Sequence, residues 1–267
     1  MNRLINADCL EYLRSTREQF CTIFADPPDN IGLGYDTYKD RLPDSEYVHL
    51  LAEWLDLFAH SAKTVWFSFN AKWTFALGGI VAALLEREKL LEAKPCVQTF
   101  TFGQHRQDDL GNNHRPLWRL RWHDAPLLPD AIRVPSWRQL NGDKRADPRG
   151  RVPGDVLDFP RVVGNSKQRR NWHPTQLNED LVERCVKLTT PPGESVLDPF
   201  GGTGTTLRVC KRTGHPCTLI ELDPKYCARI AAEHDLESKP FQPFVAYLER
   251  ACAEVATWPD WKRRVLG

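Results

Sequence analysis

"CTIFADPPDN", residues 21–30, is the stretch from which the fold can be read. Cys21 to Ala25 is a short apolar run rich in β-formers, the pattern of a buried strand. Pro27 and Pro28 then remove two backbone donors and fix φ, so the strand must stop at Asp26. In open α/β sheets ligands gather beyond the carboxyl ends of strands, which makes Asp26 a candidate site residue. Taken alone, the triplet is equally compatible with a simple strand stop that ends in a solvated carboxylate.

Working outward, strands and helices alternate. Strands are predicted at 4–7, 21–25, 64–69, 195–197 and 217–222, and helices at 9–19, 44–61, 76–88, 177–188, 203–213 and 224–237. The helix at 44–61 carries Tyr47, Leu50, Leu51, Trp54, Leu55 and Phe58 at three- and four-residue spacing, one apolar stripe. This alternation predicts an α/β fold with a doubly wound, Rossmann-like sheet. There is no internal repeat, and from Phe241 onward the pattern is too mixed to assign.

A chain of 267 residues, 41% hydrophobic, suits one α/β domain with an insertion. No apolar run approaches about 18 residues, and the amino terminus has charge too early for a signal peptide, so neither a membrane span nor export is expected. The eight cysteines form no CxxC pair, and the closest, Cys210 and Cys217, have six residues between them. That spacing argues against a zinc site or any other metal site, and against a disulfide scaffold; reduced thiols in a cytoplasm are expected.

The net charge of +1 hides an asymmetry. Between Phe100 and Thr175 there are 14 Lys and Arg against 8 Asp and Glu, leaving 22 against 27 elsewhere. This basic segment is rich in Pro, Gly, Asn and Trp and poor in periodic apolar runs, which predicts a loop-dominated insert with at most one short helix. Arginines interleaved with Trp118, Trp122, Trp137 and Trp172 suit a phosphate backbone with bases nearby, although a solvated Arg-rich surface would look the same.

The second informative stretch is "VLDPFGGTGTT", residues 196–206. A strand ending at Asp198, followed by Gly201, Gly202 and Gly204 and then a helix start, forms a turn that a ligand can approach closely because no Cβ intervenes. A phosphate-binding P-loop would carry Lys after Gly204, where Thr205 stands, and a dinucleotide fingerprint would carry Gly where Leu207 stands. Glu221, at the end of the next strand in "TLIELDP", is spaced to accept the two hydroxyls of a ribose. These features favour a Rossmann-like nucleoside site over a structural turn.

The set "FADPPDN" (24–30), "HPTQ" (173–176), "PPGESVLDPFGGTGTT" (191–206) and "IELDP" (220–224), in this order, resembles the β-class DNA amino-methyltransferases. In that family a DPPY-type catalytic motif precedes the S-adenosylmethionine motif, and a target-recognition segment lies between. The resemblance spans residues 4 to about 235, and its specificity comes from four motifs agreeing in order and spacing. It implies a catalytic half over 1–99, a recognition insert over 100–170, a cofactor half over 171–240 and a tail over 241–267. Asp8, in "NAD", would lie near the cofactor adenine; His173, Pro174 and Thr175 would lie near its amino-acid end. Asp198, Phe200, Gly202, Gly204 and Thr205 would cradle it, and Glu221 would hold its ribose. Double-stranded DNA is the implied partner, with Arg115, Arg119, Arg121, Arg169 and Arg170 as candidate contacts, and dimerisation is expected.

The resemblance also gives Asp26 a task. An exocyclic amine is a poor nucleophile because its lone pair is delocalised into the ring. An acceptor pair, the Asp26 carboxylate and the Pro27 carbonyl, would bind both N–H groups and draw the nitrogen toward tetrahedral geometry. The base must first leave the duplex stack. Asp26, Pro27, Pro28 and Asp29 therefore form the expected catalytic motif, and here the sequence departs from the pattern. The fourth position usually carries an aromatic ring that stacks on the flipped base, an interaction worth roughly 1–3 kcal/mol, and Asp29 cannot supply it. Tyr35, Tyr38, Trp66 or Phe69 could replace the ring, Asp29 could make a polar contact to the target, or the chain could be a catalytically inactive DNA-binding relative. Cytosine-C5 chemistry would need a Pro-Cys nucleophile, and neither Pro95-Cys96 nor Pro216-Cys217 has the expected context. Adenine N6 is favoured over cytosine N4, because cytosine-N4 relatives often place Ser where Asp26 stands.

Overall fold

The structure is a computed structural model and describes residues 1–101 and 106–243. Ten strands form one sheet: β1 (Arg3–Asn6), β2 (Phe20–Ala25), β3 (Ala62–Ser68), β4 (Leu91–Lys94), β5 (Val97–Thr99), β6 (His114–Trp122), β7 (Val156–Asp158), β8 (Val196–Asp198), β9 (Cys217–Glu221) and β10 (Ser238–Pro240). Their order is β10-β1-β9-β8-β2-β3-β6-β5-β7, with β4 also paired to β6. From β10 to β3 every pairing is parallel, and β6 joins β3 antiparallel. The expected doubly wound architecture is present.

Helices cover both faces, and the strands show why. In β2, Ile23 and Ala25 pack into one core and Phe24 into the other; Val65 and Phe67 of β3 likewise part from Trp66. Successive side chains of a strand point to opposite faces, so a strand buried on both sides is apolar throughout, as β2 is. The first core is closed by α1 (Cys9–Ser15), α2 (Asp44–Ser61) and α3 (Thr74–Arg87). The small α4 (Trp137–Leu140) lies in the basic segment, and the second core is closed by α5 (Glu179–Thr189), α6 (Thr205–Thr213) and α7 (Pro224–His234).

Three expectations shift. The first helix stops at Ser15, because Thr16 is extended and leads toward β2. The helix expected from Leu177 starts at Glu179, capped by the Asn178 side chain on the Asp180 amide, and so "HPTQ" remains irregular backbone. The basic segment is not all loop: residues 114–122 are β6, an integral strand hydrogen-bonded to β3. Pro116 and three arginines disguised a period-two pattern in which Leu117 faces one core while Leu120 and Trp122 face the other. The tail beyond residue 243 lies outside the described residues. Among those described, no helix is long and apolar enough to cross a membrane, and the seven cysteines are free and buried.

Strands β2 and β8 are neighbours, yet the chain leaves them in opposite directions, β2 by α2 to β3 and β8 by α6 to β9. That reversal opens a crevice between their carboxyl ends.

Candidate active site

A cavity of about 540 Å³ occupies this crevice, a size within the range of roughly 300–1,000 Å³ common for small-molecule sites. It is lined by Asp26, Pro27, Pro28 and Asp29 after β2, by Asp198, Phe200, Gly202 and Thr205 after β8, and by Glu221 after β9. Asp8 after β1 and the His173-Pro174-Thr175 segment also line it. All four residues of the expected catalytic motif and nine of the ten expected cofactor residues thus meet in one cavity; Gly204 is set back.

Each wall has a local cause. Gly202 has φ of +52°, and a Cβ there would lie 3.4 Å from Nε2 of His173, so a larger residue would be both strained and crowded. Gly204, at φ of +77°, is the left-handed entry to α6, and its missing side chain faces Ile230 and His234 rather than the cavity. Its role is to turn the chain. Thr205 shares a hydrogen bond with Thr203 at 3.0 Å. Phe200 packs edge-on against Trp54, with ring centroids 5.0 Å apart. Asp8 caps α1, accepting from the Leu10 and Glu11 amides, so its carboxylate has a structural task as well as a place on the wall.

Glu221 accepts from the Gly202 amide at 2.7 Å and from the Asp223 amide at 2.8 Å, which ties the glycine turn to the end of β9. Burial still dominates and pushes its pKa up to about 7. Burial likewise pushes Asp198 up to about 7, although it accepts from the Phe200 amide. Two carboxyl groups poised near neutrality in a cavity are suited to a ligand that brings hydrogen-bond donors or positive charge. His173 donates from Nδ1 to the Thr175 carbonyl at 2.6 Å, and burial lowers its pKa.

The Asp26–Asp29 segment is held from behind. The Tyr47 hydroxyl donates to the Pro28 carbonyl at 2.5 Å, and the Trp73 indole donates to the Asp29 carbonyl at 2.7 Å. No described residue donates to the Pro27 carbonyl. The following loop is anchored by buried Asp40, which accepts from the amides of Asn30, Ile31, Gly32 and Leu33. Asp40 was not identified from the sequence, where it lies in an exposed-looking "TYKDRLP" and carries no signal of burial.

The arginines expected on DNA are placed otherwise. Arg115 lines the cavity, but its guanidinium is engaged by Asp29, Asp26 and Ser68. Burial opposes its charge, yet the two carboxylates outweigh burial and hold its pKa above the ordinary arginine value. Arg119 is buried in β6 beside Glu92 and over the Trp66 ring, and Arg121 donates to the same Glu92 at 2.7 Å. Neither lines the cavity. Arg169 lines it and supports its wall, donating to the His173 carbonyl at 2.8 Å. Arg170 is paired with Glu233. All five side chains are thus engaged within the fold, and Arg115, Arg119 and Arg121 are carried by a sheet strand, not a loop. Within the basic segment the cations without an acidic partner among the described residues are Arg138, Lys144, Arg151, Arg161, Lys167 and Arg169.

Of the candidate stacking rings, Trp66 and Phe69 are core, with Trp66 donating to Thr189 and Phe69 against Trp118. Tyr35 and Tyr38 do line the cavity. Tyr35 leans on His173, Tyr38 meets Tyr35 edge-on, and Thr37, between them in sequence, donates to Asp223 at 2.6 Å. Cys96 and Cys217 are buried and line no part of the cavity; burial pushes the Cys96 thiol up to about 11. A thiolate nucleophile has no support here.

Comparison with known proteins found matches in sequence and in fold. A family model described as DNA methylase, of the N6/N4 methyltransferase type, matches residues 20–233. The type II methyltransferase M.BglII of Bacillus subtilis is 36% identical over 133 residues, which cover 46% of this chain and 37% of that protein. M.HpaI of Haemophilus parainfluenzae, also a type II methyltransferase, is 27% identical over 257 residues, covering 93% of this chain and 79% of its own length. The crystal structure of an M1.HpyAVI–SAM complex superposes with a TM-score of 0.59 at 19% identity, over 88% of this chain and 100% of that one, a likeness of fold.

Proposed function

We propose, from the premise that this chain belongs to the N6/N4 DNA amino-methyltransferase family, that it transfers a methyl group from S-adenosylmethionine to an exocyclic amine in double-stranded DNA, with adenine N6 as the target. The observation that carries the mechanism is the pair of acceptors at the end of β2. Asp26 presents its carboxylate, and the Pro27 carbonyl receives no hydrogen bond from a described residue, both on the cavity wall.

The residues present fit the cofactor. Gly202 leaves the space a Cβ would fill, Glu221 and Asp198 offer buried acceptors, and the cavity continues from them to Asp26. Glu221 would accept from the ribose hydroxyls with lone pairs not used by Gly202 and Asp223. The His173-Pro174-Thr175 segment, braced by Arg169, would flank the amino-acid end. When bound, S-adenosylmethionine supplies an electrophilic methyl group. Asp26 and Pro27 orient the amine toward it, and the Asp26 charge offsets the positive charge that grows on nitrogen. The acid at position 26 favours adenine N6 over cytosine N4. Dimerisation and a cytoplasmic setting belong to the same reading.

The product tests it. After reaction with labelled cofactor and digestion of the DNA, mass spectrometry is expected to find the label on N6-methyladenine. Label on N4-methylcytosine would keep the mechanism and overturn the base, label at C5 of cytosine would overturn the amine mechanism, and no label on any DNA would leave an inactive DNA-binding relative.

DNA must reach the cavity rim, where Arg161 lines the opening and exposed Lys167 follows in the same loop, neither with an acidic partner among the described residues. Reversing both to Glu is expected to weaken DNA binding and to reduce the salt slope by about 0.9 for each phosphate that the protein no longer neutralises. An unchanged slope would move the DNA path elsewhere.

A further inference from the structure

Asp29 stands where the family pattern places a ring, and its carboxylate is turned onto Arg115. Nη1 of Arg115 donates to Oδ2 at 2.7 Å and Nη2 to Oδ1 at 2.9 Å, fork against fork. The same Nη2 reaches Oδ1 of Asp26 at 2.8 Å, and Nε reaches Oγ of Ser68 at 2.6 Å. Guanidinium hydrogen bonds run in the plane of the group, so these partners occupy its edges and leave its faces. Arg115, Asp26 and Asp29 line one cavity, and Asp29 itself is 7% exposed.

We propose that the face of the Arg115 guanidinium replaces the missing aromatic ring as the surface that holds the extruded base, and that Asp29 is the positioning residue that fixes its plane. This rests on the methyltransferase reading. Arginine planes stack on unpaired bases much as rings do. The exchange also preserves the charge of the site. An aromatic ring is neutral, and the Asp29–Arg115 pair is neutral as a unit, so in both cases Asp26 remains a net negative acceptor. Asp29 without Arg115 would place a second negative charge beside Asp26; Arg115 without Asp29 would neutralise the acceptor. Tyr35 is packed against His173 and Tyr38 meets Tyr35 edge-on, so both rings already have neighbours.

A library of unmethylated random-sequence duplexes with labelled cofactor supplies the test, and calorimetric cofactor binding reports whether each variant is folded. Arg115→Ala is expected to lower transfer by roughly ten- to a hundredfold, the range expected when one base loses its stacking partner. Arg115→Lys should fall nearly as far, since an ammonium keeps the charge but has no flat face. The deciding comparison pairs Arg115→Ala with either Asp29→Phe or Asp29→Leu. Both doubles remove the ion pair and leave an apolar side chain, so a structural role for the pair predicts equal activity. The proposal expects the Phe double to recover most of the transfer and the Leu double to stay low. If Arg115→Ala itself does not fold, these charge-neutral doubles still decide. Equal doubles, or Arg115→Lys indistinguishable from the unaltered chain, would overturn the role of Arg115 alone. An unaltered chain that transfers no label would overturn the methyltransferase reading and this role with it.

Discussion

Asp26→Ala is expected to lower methyl transfer by about a thousandfold, at the upper end of what removal of one preorganised electrostatic partner costs, while cofactor affinity stays within a few fold. The carboxylate is already oriented: Oδ1 is held by Arg115, and Oδ2 receives no hydrogen bond from a described residue. In the proposed mechanism the free oxygen and the Pro27 carbonyl would form the acceptor pair, so the substitution would remove half of it and the negative charge that offsets the reacting nitrogen. The fold should tolerate the change, because Arg115 keeps both bonds to Asp29 and its bond to Ser68. Cofactor binding should tolerate it too. Asp26 makes no hydrogen bond to the glycine turn, and its charge raises the pKa of Asp198, so its loss favours ionisation there. Asp26→Asn, which keeps one acceptor oxygen and the shape, should retain more transfer than Ala. Single-turnover kinetics with calorimetric cofactor affinity separate these effects; near-normal turnover in the Ala variant would remove Asp26 from the chemistry.

How much of this was legible depends on which signal each residue carries. Runs such as "CTIFA" announce strands because both faces of a parallel sheet are buried and every side chain must be apolar. The order of the motifs then placed Asp26, Asp198 and Glu221 at three strand ends, and the switch between β2 and β8 brought them together. That Arg115 belongs to a strand is hidden in the sequence for a physical reason. Its local sequence is basic and interrupted by Pro116, and only pairing to β3 reveals it as a strand whose first arginine reaches back to the DPPD corner. Charge counting over a segment gives net charge, not pairing. Within the basic segment Asp143 and Asp147 neutralise Arg145 and Arg149 two residues away, and Glu92, outside it, takes Arg119 and Arg121. Asp40 was invisible because four backbone amides satisfy it, an arrangement that depends on the left-handed turn at Asn30, whose φ is +55°.

Glu221→Ala is expected to weaken S-adenosylmethionine binding by tens of fold or more, the loss of hydrogen bonds to a charged acceptor worth about 1.5–3 kcal/mol. The carboxylate has two tasks, and they are separable. It closes the glycine turn through the Gly202 and Asp223 amides, and it would receive the ribose hydroxyls. Thermal melting of the cofactor-free variant reports the first task, and calorimetry reports the second. The pH dependence carries further information, because burial puts Glu221 at about 7 in the free protein. Below that value the group is protonated and loses acceptor capacity, whereas ribose hydroxyls favour the ionised form and lower its pKa on binding. Affinity should therefore be highest above pH 7 and fall as pH drops through it, by at most about tenfold per unit for one proton. Asp198 is poised at the same pH and adds to the slope. Glu221→Gln, which cannot titrate, should bind more weakly at pH 8 and show a flatter profile below it. Unchanged affinity in the Ala variant at pH 8 would move the ribose away from β9. Wild-type affinity independent of pH from 8 to 6 would mean that neither buried carboxyl group meets the ligand in its charged form.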